Sequence, residues 1–156
     1  MAHLLAPQAS NPTLPVFFNV DQVVGAMPAS NLREDVLLVQ YLLTVMSKNP
    51  PPGGRSPEFQ KSLSVVRCSG VADPETINAI RAAQQEAKKF KPQTVVDGRV
   101  SPAKGYLYDG VSSNWVIVHL NESVQHPHLE IWPRIDLIQG CPEEIKKLVV
   151  RTVQGV

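Results

Sequence analysis

Charge of one sign, cysteine pairs and long apolar runs are all missing from this sequence, and each absence excludes something. Its 15 basic and 14 acidic residues leave a formal net charge of +1. No global field therefore draws the chain to nucleic acid or to an anionic membrane. Two cysteines, Cys68 and Cys141, give neither a metal-ligand spacing nor a disulfide framework, and they fit a reducing compartment. No apolar run approaches the roughly 18–20 residues that span a bilayer, so membrane insertion is not expected. The first residues carry no basic leader and are broken by Pro7, Pro12 and Pro15, so they do not read as a secretory signal. The expectation is synthesis in the cytoplasm, with any exit by lysis or through a dedicated machine. A Gly-x-Ser-x-Gly elbow, a Cys-x-x-Cys pair and a Gly-x-x-x-x-Gly-Lys phosphate loop are absent too.

What is present is a globular composition, 43% hydrophobic and 19% charged, in a chain long enough to bury a core. Residues 1–23 read as a Pro-rich arm whose apolar patch, Val16, Phe17, Phe18 and Val20, has to pack on something. In "NLREDVLLVQYLLTVMSK", Asn31 reads as an N-cap with Glu34 as its reciprocal partner. Leu32, Val36, Val39, Leu43 and Met46 form one stripe, widened by Leu38, Leu42 and Val45, which predicts a helix over about 31–47. "NPPPGG" stops it. Residues 48–72 read as a long connection with "SLSVVRC" as its one strand-like piece. A second helix, about 73–90, starts at the Asp73 cap with Pro74 in its first turn. Its inward stripe is Thr76, Ile80, Ala83, Ala87 and Phe90, and this helix is expected to pack on the first. Asp97-Gly98 predicts a turn with positive φ at the glycine. "VSSNWVIVHLNES" fits either a strand or a short helix capped by Ser113. Residues 122–156 read as an extended, Pro-broken segment and then a terminal helix from Pro142, burying Ile145, Leu148, Val149 and Val153.

In order and spacing these pieces carry a frame. It runs Val24-Gly25, Asn31, Asp35-Val36, Val39-Gln40 and Leu42-Leu43, then Asp73-Pro74-x-Thr76 and Ala79-Ile80 with Gln84. It closes with Asp97-Gly98-Arg99-Val100-x-Pro102, Ser113 four residues before Ile117, and Leu120-Asn121. Over roughly residues 24–121 the chain resembles the peptidoglycan-binding-like domain, a small three-helix module of bacterial and phage proteins. It departs from that family at Ala83, where an aromatic is usual, at Ser69-Gly70-Val71-Ala72 in place of an Asp-Gly loop, and at the inserted "YLYDG" of 106–110. The resemblance implies a mainly α fold: a three-helix core over 24–121, the arm over 1–23, and a C-terminal extension over 122–156. It implies a non-catalytic module that binds or targets peptidoglycan, with no cofactor. Asp35, Gln40, Asp73, Thr76, Gln84 and Gly98 are implied to be structural, the two glutamines holding connecting backbone with their amides.

Among chemical candidates, Asp97 and Arg99 with Tyr106 and Tyr108 are the best ligand-binding set, since tyrosines offer flat apolar faces with a polar tip. Trp115 and Trp132 read as core. His126, His128 and Glu130 would share one face if extended, yet no metal is expected there. His119 lies in an apolar run and reads as core rather than base. The alternative function is a structural or adaptor subunit of a phage or phage-tail-like injection particle. Phe17 and Phe18, or the terminal helix, would then contact other protein chains.

Overall fold

The computed structural model describes residues 2–5, 17–103 and 116–154. The fold is mainly helical, with helices α1 (Arg33–Lys48), α2 (Pro57–Ser64), α3 (Pro74–Lys88), α4 (Val116–Gln125) and α5 (Glu143–Gln154). Two short antiparallel pairs complete it: β1 (His3–Leu5) with β2 (Phe17–Asn19), and β3 (Val24–Gly25) with β4 (Arg99–Val100). No helix among the described residues is long and apolar enough to cross a membrane.

Helix α1 is the centre. Val36, Leu37, Leu38, Val39, Leu42 and Leu43 are all buried, so apolar surface is lost around most of its circumference. α2, α4, α5 and β3 pack against it. α3 packs most closely on α2, with α4, β3 and β4 beside it, so its contact with α1 is narrower than the expected pairing of the two predicted helices. α1 and α3 are tied by a hydrogen bond from Gln40 Nε2 to Thr76 Oγ1, 3.0 Å.

Several local expectations change. Asn31 is not the cap of α1: Leu32 holds that position without a side-chain cap bond. Asn31 instead sits at φ 52, a left-handed conformation asparagine tolerates. Its amide closes a ring on Gly25, accepting from Gly25 N at 2.7 Å and donating to Gly25 O at 3.0 Å. Leu32 is correspondingly exposed, and Glu34 faces Arg151. The start of "SLSVVRC" is not strand but the end of α2, which Ser56 caps by accepting from Phe59 N at 3.3 Å, with Pro57 in the first turn. Phe59 and Leu63, one turn apart, supply its buried face. Helix wins over strand at 116–125, because Ile117, Leu120 and Val124 then share one buried face. The segment after it is not extended: His126–His128 and Ile135–Leu137 are turns of 3-10 helix, so the alternation proposed for His126, His128 and Glu130 does not exist. α3 ends at Lys88, leaving Phe90 79% exposed rather than on the inward stripe.

The larger correction concerns the two ends of the chain. Phe17 and Phe18 are not a surface patch: both are fully buried, and Phe18 meets the Trp132 ring edge-on at 5.7 Å. Asn121 on α4 grips the arm, accepting from Phe18 N at 2.6 Å and donating to Phe18 O at 2.8 Å. Asn19 makes the same two-way bond with Ala103, at 3.0 and 3.1 Å. Ile145, Leu148 and Val149 of α5 enter the same hydrophobic cluster, and α5 also packs on β1. The arm and the terminal helix thus cover each other and α1. Val153 lies outside the side chains described.

Because Phe18 is enclosed by its own chain, Phe18→Ala should cost about 3–5 kcal/mol of folding stability in urea melts. A loss under about 1 kcal/mol would mean that the arm is only loosely applied to the domain.

Candidate functional site

The Asp97 turn is built from α3. Gln84 is buried in that helix, and its carbonyl oxygen accepts from Gly98 N at 2.9 Å and Asp97 N at 3.2 Å. Its amide nitrogen donates to Arg99 O at 2.8 Å and Asp97 Oδ1 at 3.0 Å. Asp97 Oδ1 also accepts from Arg99 N at 3.0 Å, and Oδ2 faces Arg99 Nε at 3.4 Å. Both carboxylate oxygens are therefore engaged within the turn. Gly98 stands at φ 72, and a Cβ there would lie 3.0 Å from Arg81 Nε and 3.2 Å from Ile77 Cγ2. The backbone of this loop also comes close to β3, where a Cβ on Gly25 would collide with Gly98 O. Such a turn is closed on itself, which suits a scaffold rather than a ligand. Tyr106 and Tyr108, the other half of the predicted site, lie outside the described residues.

A second turn repeats the device on α1. Gln40 Oε1 accepts from Gly70 N at 2.9 Å, and its nitrogen donates to Val71 O at 2.9 Å, with Gly70 at φ 78. Asp73 caps α3 with one oxygen, Oδ1, accepting from Thr76 N at 2.9 Å and Thr76 Oγ1 at 2.6 Å. Asp35, wholly buried, accepts from Asp21 N at 3.0 Å and Gln22 N at 2.9 Å. Each of these polar side chains thus bonds backbone of a connection or helix start.

The open concavity lies elsewhere. A groove of about 660 Å³ runs between the C-terminal end of α1, the 49–55 connection, α2, α3 and α4. Met46, Phe59, Ala83, Ala87 and Leu120 form its buried apolar floor. Exposed Pro51, Pro52 and Phe90 stand at its edge, with Glu86, Ser123 and His126 as polar groups. Glu86 is engaged by Lys89 Nζ at 3.1 Å. Arg55 lies over the Phe59 ring at 5.7 Å. It donates to Met46 O at 2.7 Å and Gln60 Oε1 at 3.1 Å, completing the C-terminal end of α1. Burial lowers the Arg55 guanidinium below its ordinary value, while Glu86 nearby pulls it back up. Among the described residues Arg55 forms no ion pair.

The cysteines are not poised as nucleophiles. Cys141 is buried in the core, and burial pushes its thiol up to about 12. Burial also raises Cys68, against a hydrogen bond with Thr44 and the field of Lys48. Neither thiol is ionised near neutrality. Tyr41 is raised mainly by burial, and its hydroxyl is shared between Ile135 O at 3.0 Å and Ile138 O at 2.9 Å. Among the described residues no three His, Cys, Asp or Glu side chains are grouped as metal ligands.

The groove escaped the sequence reading because its parts come from five places in the chain. The available signal was a mismatch: three successive prolines and an Arg before a capped helix exceed what is needed to stop α1. No protein-family model, curated protein or solved structure matches this chain.

Gly98→Val should destabilise the fold by about 1–3 kcal/mol, since a β-branched residue tolerates the left-handed region poorly. Unchanged thermal melting would show that the turn can relax to negative φ. For the thiols, iodoacetamide at about pH 8 should leave Cys141 unmodified in the native protein and label it on denaturation. Stability should also fall as pH rises from the ordinary thiol value of 9.0 toward about 12, where the unfolded chain alone loses the Cys141 proton. Rapid native labelling of Cys141 would contradict its burial.

Proposed function

We propose that this chain is a non-catalytic binding module for bacterial cell wall, of the peptidoglycan-binding-like type, and that its ligand lies in the interhelical groove. The observation that carries the reading is the groove itself: an apolar floor, aromatic and proline edges and a few polar groups, at a volume usual for ligand sites. Gln40, Gln84 and the Asp97-Gly98 turn support it from the fold side, because they fall on the frame through which the sequence resembles that family. Asp97 and Arg99 serve the scaffold in this reading. Fold and function are separate questions, so the ligand has to be tested directly.

The rival reading, a structural or adaptor subunit of a phage or phage-tail-like injection particle, would use the apolar arm or the terminal helix as its docking elements. Phe17, Phe18, Ile145 and Leu148 are spent inside this chain, so an adaptor would need a different surface.

The test is co-sedimentation with purified insoluble peptidoglycan. The protein should pellet with the wall, release no soluble fragments and leave turbidity unchanged. Phe90→Ala should weaken retention several-fold while leaving melting nearly unchanged, because Phe90 contributes little to the core at 79% exposure. Protein that stays in the supernatant at every wall concentration would remove this reading, and turbidity loss would replace it with an enzymatic one.

A further inference from the structure

Arg55 is the unusual group in the groove. It is half-buried, and desolvation weighs on its charge. A cation taken partly out of water is costly unless an anion compensates it. Here the compensation is incomplete. Its named acceptors are the neutral oxygens of Met46, Gln60 and Asn49, the last at a long 3.5 Å. Glu86 acts on it through space but is held by Lys89. A guanidinium carries more N–H donors than these contacts use, set in a planar fork that matches a carboxylate.

Its position is also fixed in advance. The bonds to Met46 and Gln60 and the Phe59 ring beneath it hold the guanidinium at the groove wall before any ligand arrives. Gln60 is itself anchored to Ser47 O at 2.9 Å. A pre-placed donor loses little side-chain freedom on binding. Beside it the floor is apolar and the edge at Phe90 and Pro51 offers flat surface.

We infer that the groove takes the peptide part of the wall rather than its glycan, with Arg55 pairing with a free carboxylate of the stem peptide and the apolar floor receiving the adjoining small side chains. This rests on the wall-binding reading and narrows it to one chemical component. The glycan backbone is dominated by neutral hydroxyl and acetamido groups, whereas the cross-linking peptides carry exposed carboxylates next to methyl groups. The complementarity of a desolvated cation and an apolar trough is to the peptide.

The experiment uses the full chain and insoluble sacculi freed of attached phosphate polymers, in two forms: native, and with carboxylates converted to amides by carbodiimide and ammonia. Retention should fall roughly tenfold or more on the amidated wall, the scale of one charge-assisted hydrogen-bonded pair. Stem peptide released by an amidase should compete for binding, and its amidated form should not. Arg55→Gln, checked for helical content and melting because Arg55 also completes α1, should bind both walls alike. Equal retention of the wild-type protein on both walls would overturn the peptide assignment while leaving wall binding intact. Continued discrimination by Arg55→Gln would show that another group reads the charge and would overturn the role of Arg55. No retention on either wall would overturn this inference together with the reading beneath it.

Discussion

The rest of the structure depends on the burial of α1, because a helix surrounded on most sides has irregular chain laid directly against the core, with backbone groups on its inner side. Backbone N–H and C=O groups there need partners, and the strands are too short to supply them. Side chains from the helices do so instead. Asp35 holds the 21–22 backbone, Gln40 the Gly70 turn, Gln84 the Gly98 turn and Asn121 the arm at Phe18. Each is a buried polar group, and leaving its backbone partners unsatisfied costs about 1–3 kcal/mol per group. These four connections are therefore specified by side chains of the helices they adjoin.

This arrangement explains how two glutamines in different helices come to do one job. In both cases a carboxamide, which donates and accepts at once, bonds the N–H and C=O of a turn whose glycine has positive φ. A glutamate could only accept and a lysine could only donate, so neither would close such a turn. Asn121 and Asn19 apply the same two-way logic with a shorter reach.

The legibility of the fold follows from which of these features are local. α1 and α3 were readable because periodicity and the Asp73-Pro74 start act within a few residues. α2 is hard to read although Ser56-Pro57-Glu58 is a good helix start: Val65-Val66 favours β-structure by propensity, and Phe59 with Leu63 is too short a stripe to compete. Phe90 was misplaced by extending a period past the end of its helix. Phe17 and Phe18 visibly need cover, but sequence does not say whether cover comes from the same chain. Asn31 shows the limit of cap signals, since its amide prefers Gly25 across the β3 turn to the helix it precedes. The groove was beyond reach, as Arg55, Ala83 and Leu120 meet only after four helices have packed.

The groove also follows from how α1 ends. Pro50–Pro52 cannot extend the helix, so Asn49 is the last residue before them to donate back to it, to Met46 O and Val45 O, and further carbonyl bonds come from beyond the prolines. Arg55 and Gln60 supply them from the far side of the loop, bonding Met46 and Ser47. A positive group at a helix C-terminus is favourable, but the carbonyls it meets here are neutral and leave its charge only partly compensated. The same solution leaves a charged fork at the wall of an apolar trough, facing Phe59 rather than a carboxylate. In the proposed reading recognition and stability thus meet in one side chain, while Phe90 at the edge has little part in the core. Substitutions at the two positions should separate these contributions, because the first perturbs the helix end and the groove together and the second perturbs the groove alone.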